Sequence, residues 1–284
     1  MKLLSCTISL LIVSCIAYGQ TILSGVINQY AAVTGLDVCA NTLDLSDASG
    51  FSAGMSVLIM QMQGAEINTS NNSGFGATTN LRNTGRYERA RIAAVNNNTI
   101  TLEATILNSY NLDGRVQVIS LPVYQSAIVQ GTLEAAPWNG QTGGVLAIEV
   151  SGNLTLEGDL TADAKGFRGG RAGIAQANNC NFILTHVSYF YELGNWRGAA
   201  KGEGIAIFTT GREAGRGPQA NGGGGGNDHN AGGGGGANAR EGGRGGNNNE
   251  PNALGCNGLF PGLGGRTLPI DTTRLFLGGG GGAG

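Results

Sequence analysis

The sequence predicts a mainly β protein: a small β-barrel or sandwich, then a short-strand β-solenoid-like module, then a glycine-rich, polyglycine-type segment. Three observations predict it. Up to about residue 124, short runs of alternating apolar and polar residues follow one another, separated by Gly, Asn and Asp turn residues. From residue 126 the apolar runs shorten and are broken at Gly152 and Gly158. From 222 to 251 the chain repeats every ten residues, each repeat opening on a five-residue glycine block that Arg244 alone interrupts.

Residues 1–19 are read as a signal peptide. Lys2 supplies the positive start, residues 3–16 form an apolar run too short to span a bilayer, and Ala17, Tyr18 and Gly19 form a small-residue cleavage site before Gln20. The expected destination is secretion or the cell surface. Residues 12–15 also fit a lipobox, which makes a lipoprotein anchored through Cys15 the alternative. No transmembrane segment is expected in the mature chain. Charged residues are 13% of the 284 and the formal net charge is −2, which removes the electrostatic case for nucleic acid or an anionic membrane surface.

Residues 20–124 carry the barrel or sandwich expectation. Thr42-Leu43-Asp44-Leu45 alternates, the run from Ser56 to Gln63 is the strongest strand signal, and the run from Tyr87 to Val95 alternates again. Asn96-Asn97-Asn98 turns the chain into Thr99-Ile100-Thr101-Leu102, and Val116-Gln117-Val118-Ile119 closes the set. Residues 68–83 form a polar loop, read either as disordered or as a contact surface on a β scaffold.

In residues 125–210, short strands are expected at Ala127-Ile128-Val129, from Val145 to Val150, at Leu154-Thr155-Leu156 and at Leu160-Thr161-Ala162. Alternate apolar positions and one- or two-residue breaks suit the coils of a β-solenoid, with a simple meander as the alternative. Ile183-Leu184 and Ile205-Ala206-Ile207-Phe208 are further strand candidates.

Residues 211–284 hold the glycine-rich segment. One reading is a flexible linker, because Gly and Asn bury too little apolar surface to offset backbone ordering. The other is a bundle of extended, three-residue-per-turn helices packed so closely that only glycine fits, with Asn- and Asp-rich reversals between them. The regular ten-residue spacing points to the bundle. A second glycine run follows Leu275-Phe276-Leu277 and reaches Gly284, so the natural product is expected to be longer.

Taken together, the run from Phe51 to Gly64, Gly143-Gly144-Val145-Leu146-Ala147-Ile148 and the run from Ala164 to Gly170 resemble the amino-terminal part of large glycine-rich, adhesin-like surface proteins of Bacteroidota. Many of these are type IX secretion substrates. Members often carry Gly-Asp where this chain has Gly54-Met55. The glycine segment is also similar in composition to polyglycine bundles of some phage tip adhesins and receptor ectodomains. The resemblance implies a display role, with a surface glycan or another cell-envelope component as partner.

Catalytic signatures are sparse. His186 and His229 are the two histidines, and neither sits in a recognisable metal or triad spacing. No cofactor is expected. Asp228 and His229 at a repeat tip are candidate ligand contacts, beside the plainer reading of a solvated turn. Tyr189, Tyr191 and Trp196, with Phe190, form the aromatic cluster; such rings either stack on sugars or build a local core. Cys180 and Cys256 are the candidate disulfide of an exported chain. The reading is a non-enzymatic adhesin-like protein. The alternatives are a carbohydrate-active enzyme on a β-solenoid using Asp159, Asp163 and Lys165, and a passive glycine-rich matrix or spacer. Asp159 and Asp163 share a face if the strand around them stays extended.

Overall fold

The computed structural model describes residues 20–172, 187–227, 231–247 and 260–284. Among the described residues there is no α-helix, hence none long and apolar enough to cross a membrane, and a single 3-10 turn, Leu112–Gly114.

After β1 (Thr21–Gly25), the strands β2 (Tyr30–Asp37), β3 (Thr42–Leu45) and β4 (Ser56–Gln61) are followed by a small hairpin, β5 (Glu66–Ile67) and β6 (Thr78–Asn80). Then come β7 (Tyr87–Asn96), β8 (Thr99–Leu102) and β9 (Val116–Ser120). Six of these close a barrel in the order β2-β3-β8-β7-β4-β9, antiparallel throughout, with β9 returning to β2. The barrel expectation therefore holds and the sandwich does not. Alternation is the cause: Leu43 and Leu45, Val57 and Ile59, Ile92, Ile100 and Val118 point inward and are buried together. Each such side chain contributes about 1.5–3 kcal/mol. The strand β2 carried no strong sequence signal because Gly35 interrupts it; the register shifts between Val33 and Gly35, where the Asp44 side chain fills the space of a Cβ.

The short strands form a parallel system. β10 (Val123–Tyr124) pairs with β12 (Glu149–Val150), and β11 (Ala127–Glu134) pairs with β13 (Leu154–Leu156) and β14 (Asp159–Thr161). Partners such as Ala127 and Leu154, or Thr132 and Asp159, lie in register one coil apart. A meander would make antiparallel pairs, so stacked coils are the observed arrangement. Leu23, Ala127, Val129 and Leu133 fill the coil core. Two expectations need correction. Residues 20–124 are not one barrel module: β1 pairs parallel with β11, so the coil begins before the barrel and the barrel is an insertion in it. The strand expected from Val145 to Val150 is confined to Glu149–Val150, because Val145 and Ala147 instead cover the outer face of the barrel.

That outer face decides how the parts join. Met60 and Ile119, on the non-lumen side of β4 and β9, pack with Trp138, Phe167, Ile205 and Leu277. The Asn28 amide stitches barrel to coil, donating to the Ser120 carbonyl (2.8 Å) and the Ala147 carbonyl (2.6 Å) and accepting from Ala147 N–H (3.1 Å). Residues 205–208 form no strand; the Ile205 carbonyl accepts from the amides of Gly64 (2.9 Å) and Ala65 (3.2 Å). Ile183 and Leu184 lie outside the described residues.

The glycine runs bond with a period of three. Gly223 and Gly226 N–H donate to the carbonyls of Gly280 and Ala283, while between them Gly224 donates to Leu263 and Gly225 to Gly215. Likewise Gly232 and Gly235 donate to Gly246 and Gly243, and Gly242 and Gly245 to Gly265 and Gly262. A β-ladder would return to one neighbour every second residue. Here each run has neighbours on several sides, and the network reaches back across residue 211: Gly202 N–H donates to Gly223, and Phe167 N–H to Gly278. Asn221, fully buried, is a node. Its Oδ1 accepts from Ile205 N–H (2.8 Å) and its amide donates to the carbonyls of Ala237 (3.2 Å) and Leu277 (3.0 Å).

Candidate functional site

The polar loop of residues 68–83 is ordered, and it is the bracket that seats the barrel against the glycine network. Phe75, 1% exposed, inserts its ring 5.6 Å from that of Phe190. Asn71 accepts from Tyr189 N–H (2.7 Å), and the Arg212 and Arg266 guanidiniums donate to the carbonyls of Thr69 (2.6 Å) and Phe75 (2.8 Å). The disordered reading of this loop is therefore wrong. Its Gly, Asn and Ser residues make local Asx turns, as at Asn68 and Asn72, rather than leaving the backbone unpaired.

Behind Phe75 sits Lys201, 2% exposed. Its ammonium donates to the carbonyls of Tyr189 (2.6 Å) and Gly217 (2.5 Å) and lies 4.4 Å from the Phe75 ring centroid. Burial pushes its pKa well below the ordinary lysine value.

The predicted aromatic residues lie along this bracket. Tyr189 and Tyr191 are half-buried against residues 214–217: Tyr191 exchanges backbone hydrogen bonds with Ala214, and the Tyr189 carbonyl accepts from Gly217 N–H (2.9 Å). Trp196 is different, being 47% exposed on a turn whose neighbour Leu193 is 59% exposed. The turn is tied by Asn195 N–H to Glu192 (3.1 Å) and Gly198 N–H to Asn195 (3.2 Å). Thus Tyr189, Phe190 and Tyr191 are half-buried, and Trp196 is the more exposed ring of the stretch.

Sequence reasoning missed the cations that face these rings. Arg197 lies 4.8 Å from the Trp196 ring, Arg212 lies 4.6 Å from Phe190, and Arg216 lies between Tyr189 (5.4 Å) and Phe260 (5.3 Å). Burial holds the Arg216 pKa below its ordinary value; Tyr189 raises it and the charge of Arg244 lowers it further. In a chain with so few charges, arginines flanking an aromatic stretch were the signal available.

Asp228 and His229 lie outside the described residues, as do Cys180 and Cys256, so neither the tip contact nor the disulfide is placed. Cys39 is an exposed free thiol. Among the described residues no group of three or more His, Cys, Asp or Glu side chains is placed to hold a metal.

Apart from the aromatic stretch, a cleft of about 1090 Å³ opens between the barrel, the coil and the last glycine run; Leu58, Tyr87, Leu146, Asp163, Arg168 and Phe276 are among its lining. The expectation of one acidic face fails here. β14 ends at Thr161, and Asp163 stands in the turn that follows, its N–H held by the Thr161 hydroxyl (3.0 Å). Ala164 then adopts φ 57°. Asp163 lines the cleft while Asp159 remains on the strand, and Lys165 is engaged by Glu134 at 2.8 Å.

No protein-family model matches the chain, and no curated protein does. Among the solved structures similar to it are two phage tailspikes. The Gp54 tailspike of Acinetobacter baumannii bacteriophage AP22, solved with the A. baumannii capsular saccharide, is 15% identical over 57% of this chain and 27% of that one, with a TM-score of 0.25. The tailspike protein gp49 from Pseudomonas phage LKA1 is 14% identical over 50% of this chain and 23% of its own, with a TM-score of 0.23. The chain thus spans about a quarter of the length of each.

Proposed function

We propose that this is a non-enzymatic, adhesin-like protein of the cell surface or the secreted fraction, in which a polyglycine-type bundle is a stiff mount for an aromatic surface that takes glycan. The observation that carries the reading is Trp196, 47% exposed on a hydrogen-bonded turn while its aromatic neighbours are half-buried. A planar ring held in place loses little freedom on stacking against a sugar, which favours binding. The bundle reading is supported by the three-residue period of the amide donors, the period of a polyproline-type helix. Export rests on the pattern of residues 1–19, and the likeness to Bacteroidota surface proteins belongs to the same reading.

Binding of the mature protein to a polysaccharide panel tests this, with wild type and Trp196→Ala compared. The expected result is binding by wild type without release of sugar ends, and its loss in a variant that keeps its melting temperature. Lost stability with unchanged binding sinks the contact role of Trp196. Release of reducing or unsaturated ends would replace the reading with an enzyme, for which Asp163 in the cleft is the residue to change. Neither binding nor release would leave a passive spacer.

A further inference from the structure

The coil stack is covered at one end and open at the other. In register, Leu23 of β1 lies beside Val129 of β11, which lies beside Leu156 of β13; Ala127 pairs likewise with Leu154, and Leu133 with Leu160 of β14. Paired residues of neighbouring strands point to the same side of a sheet, so Leu154, Leu156 and Leu160 belong to the row that fills the coil core. Their exposure does not match that place. Leu23 is 4% exposed and Ala127, Val129 and Leu133 are 0% exposed, whereas Leu154, Leu156 and Leu160 are 37%, 56% and 43% exposed. Three leucines placed as core residues are therefore left uncovered, on the last strands of the described parallel ladder. Such strands are a template for one more, because a strand added there extends the backbone pairing and covers the apolar row.

Charge narrows what that strand is. Residues 126–164 contain five acids and neither lysine nor arginine. Glu134 and Glu149 are ion-paired, with Lys165 and Arg89, at 2.8 Å each. Glu157, Asp159 and Asp163 follow one another, all exposed, along the open strands and the turn after them. Asp159 precedes Leu160, so its side chain stands on the face of β14 opposite the leucine row. Two copies of this edge set against each other would bring Glu157 and Asp159 toward their own counterparts, which like charges oppose. Copies stacked head to tail would press the open end on one whose Leu23 is already covered. We propose that β13 and β14 are a docking edge for an extended segment of another protein, with apolar residues over the three leucines and lysine or arginine at alternate positions. This inference stands apart from the glycan-binding reading and uses neither Trp196 nor the rings beside it.

The test measures binding of the intact mature protein to synthetic peptides of about ten residues, long enough to span β13 and β14. One alternates valine with lysine, a second valine with glutamate, and a third serine with lysine. The first is expected to bind at least about tenfold more tightly than either of the others, since it alone matches both the leucine row and the acids. Leu156→Asp and Leu160→Asp put a carboxylate where the added strand would bury it, and each should weaken binding of the valine-lysine peptide about tenfold or more. Because both leucines are exposed, the variants should keep the wild-type melting temperature. Asp159→Lys should narrow the preference for the valine-lysine over the valine-glutamate peptide about tenfold. Should the leucine variants fail to fold, Asp159→Lys, on the opposite face, decides. Equal binding of the three peptides, or unchanged binding in folded Leu156→Asp and Leu160→Asp, overturns the docking edge. So does a dimer in sedimentation that Leu156→Asp dissolves, since a second copy would then be the occupant.

Discussion

The backbones of Gly236 and Gly279 run so close that a Cβ on Gly236 would come nearer than 3.0 Å to the Gly279 carbonyl oxygen. A Cβ on Gly243, by contrast, meets nothing within 4 Å. The difference follows the three-residue period: the Cβ directions of Gly242 and Gly245 point into neighbouring backbone, those of Gly243 and Gly246 point into open space, and the Arg244 side chain is exposed. Gly236→Ala should therefore destabilise the protein by about 1–3 kcal/mol, as overpacking against rigid backbone does. Gly243→Ala should be neutral or add up to about 1 kcal/mol by restricting the unfolded chain. Denaturant midpoints for the pair check this; equal effects would mean that the runs are not packed as described.

Asn221 joins three runs through one side chain. Asn221→Ala leaves Ile205 N–H and the carbonyls of Ala237 and Leu277 without that partner in a place water does not reach. A loss of about 1–3 kcal/mol is expected. Asn221→Asp keeps the acceptor for Ile205 but sets a carboxylate against two carbonyl oxygens, so it should cost at least as much as alanine. A milder effect for aspartate in thermal unfolding would contradict the node.

Phe75 closes the interface between the barrel's long loop and the aromatic stretch. Phe75→Ala removes a buried ring that touches Phe190 and Lys201, and about 3–5 kcal/mol should be lost. Limited proteolysis is expected to cut within residues 68–83 of the variant while wild type resists. Unchanged cleavage would show that the loop is held by its arginine hydrogen bonds alone.

The barrel was legible because its strands alternate: Leu43 and Leu45 or Val57 and Ile59 announce a lumen in two-residue steps. The run from Ser56 to Gln63 read as the strongest strand because both of its faces are covered, Ile59 by the lumen and Met60 by the coil side. Insertion of the barrel after β1 was not legible. Parallel pairing of Thr21 with Ala127 joins residues a hundred positions apart, and no local pattern encodes it. Trp196 was visible as a residue type, but its exposure depends on which neighbours the glycine network buries. The arginines were passed over because a cation shows its worth only when the ring or anion facing it is known, as with Arg216 between Tyr189 and Phe260.

Lys201 gives the protein a particular response to alkali. Its pKa is held below the unfolded value of 10.5, with burial as the cause. Between the lowered native value and 10.5 the unfolded chain therefore binds more protons than the native one, and the stability contributed by this residue rises with pH through that window. A neutral amine still offers two N–H groups, enough for the carbonyls of Tyr189 and Gly217. Lys201→Met strands both carbonyls and should cost about 1–3 kcal/mol at neutral pH. The gap between wild type and Lys201→Met is expected to widen from pH 7 to pH 9.5, since only wild type has a lysine that binds its proton more readily unfolded than folded, a penalty that shrinks as pH rises toward 10.5. Urea unfolding of both proteins at the two pH values measures it. A gap that stays constant would place the native pKa at the ordinary lysine value, and a gap that narrows would mean that the two carbonyls and the Phe75 ring hold the ammonium more strongly than burial opposes it.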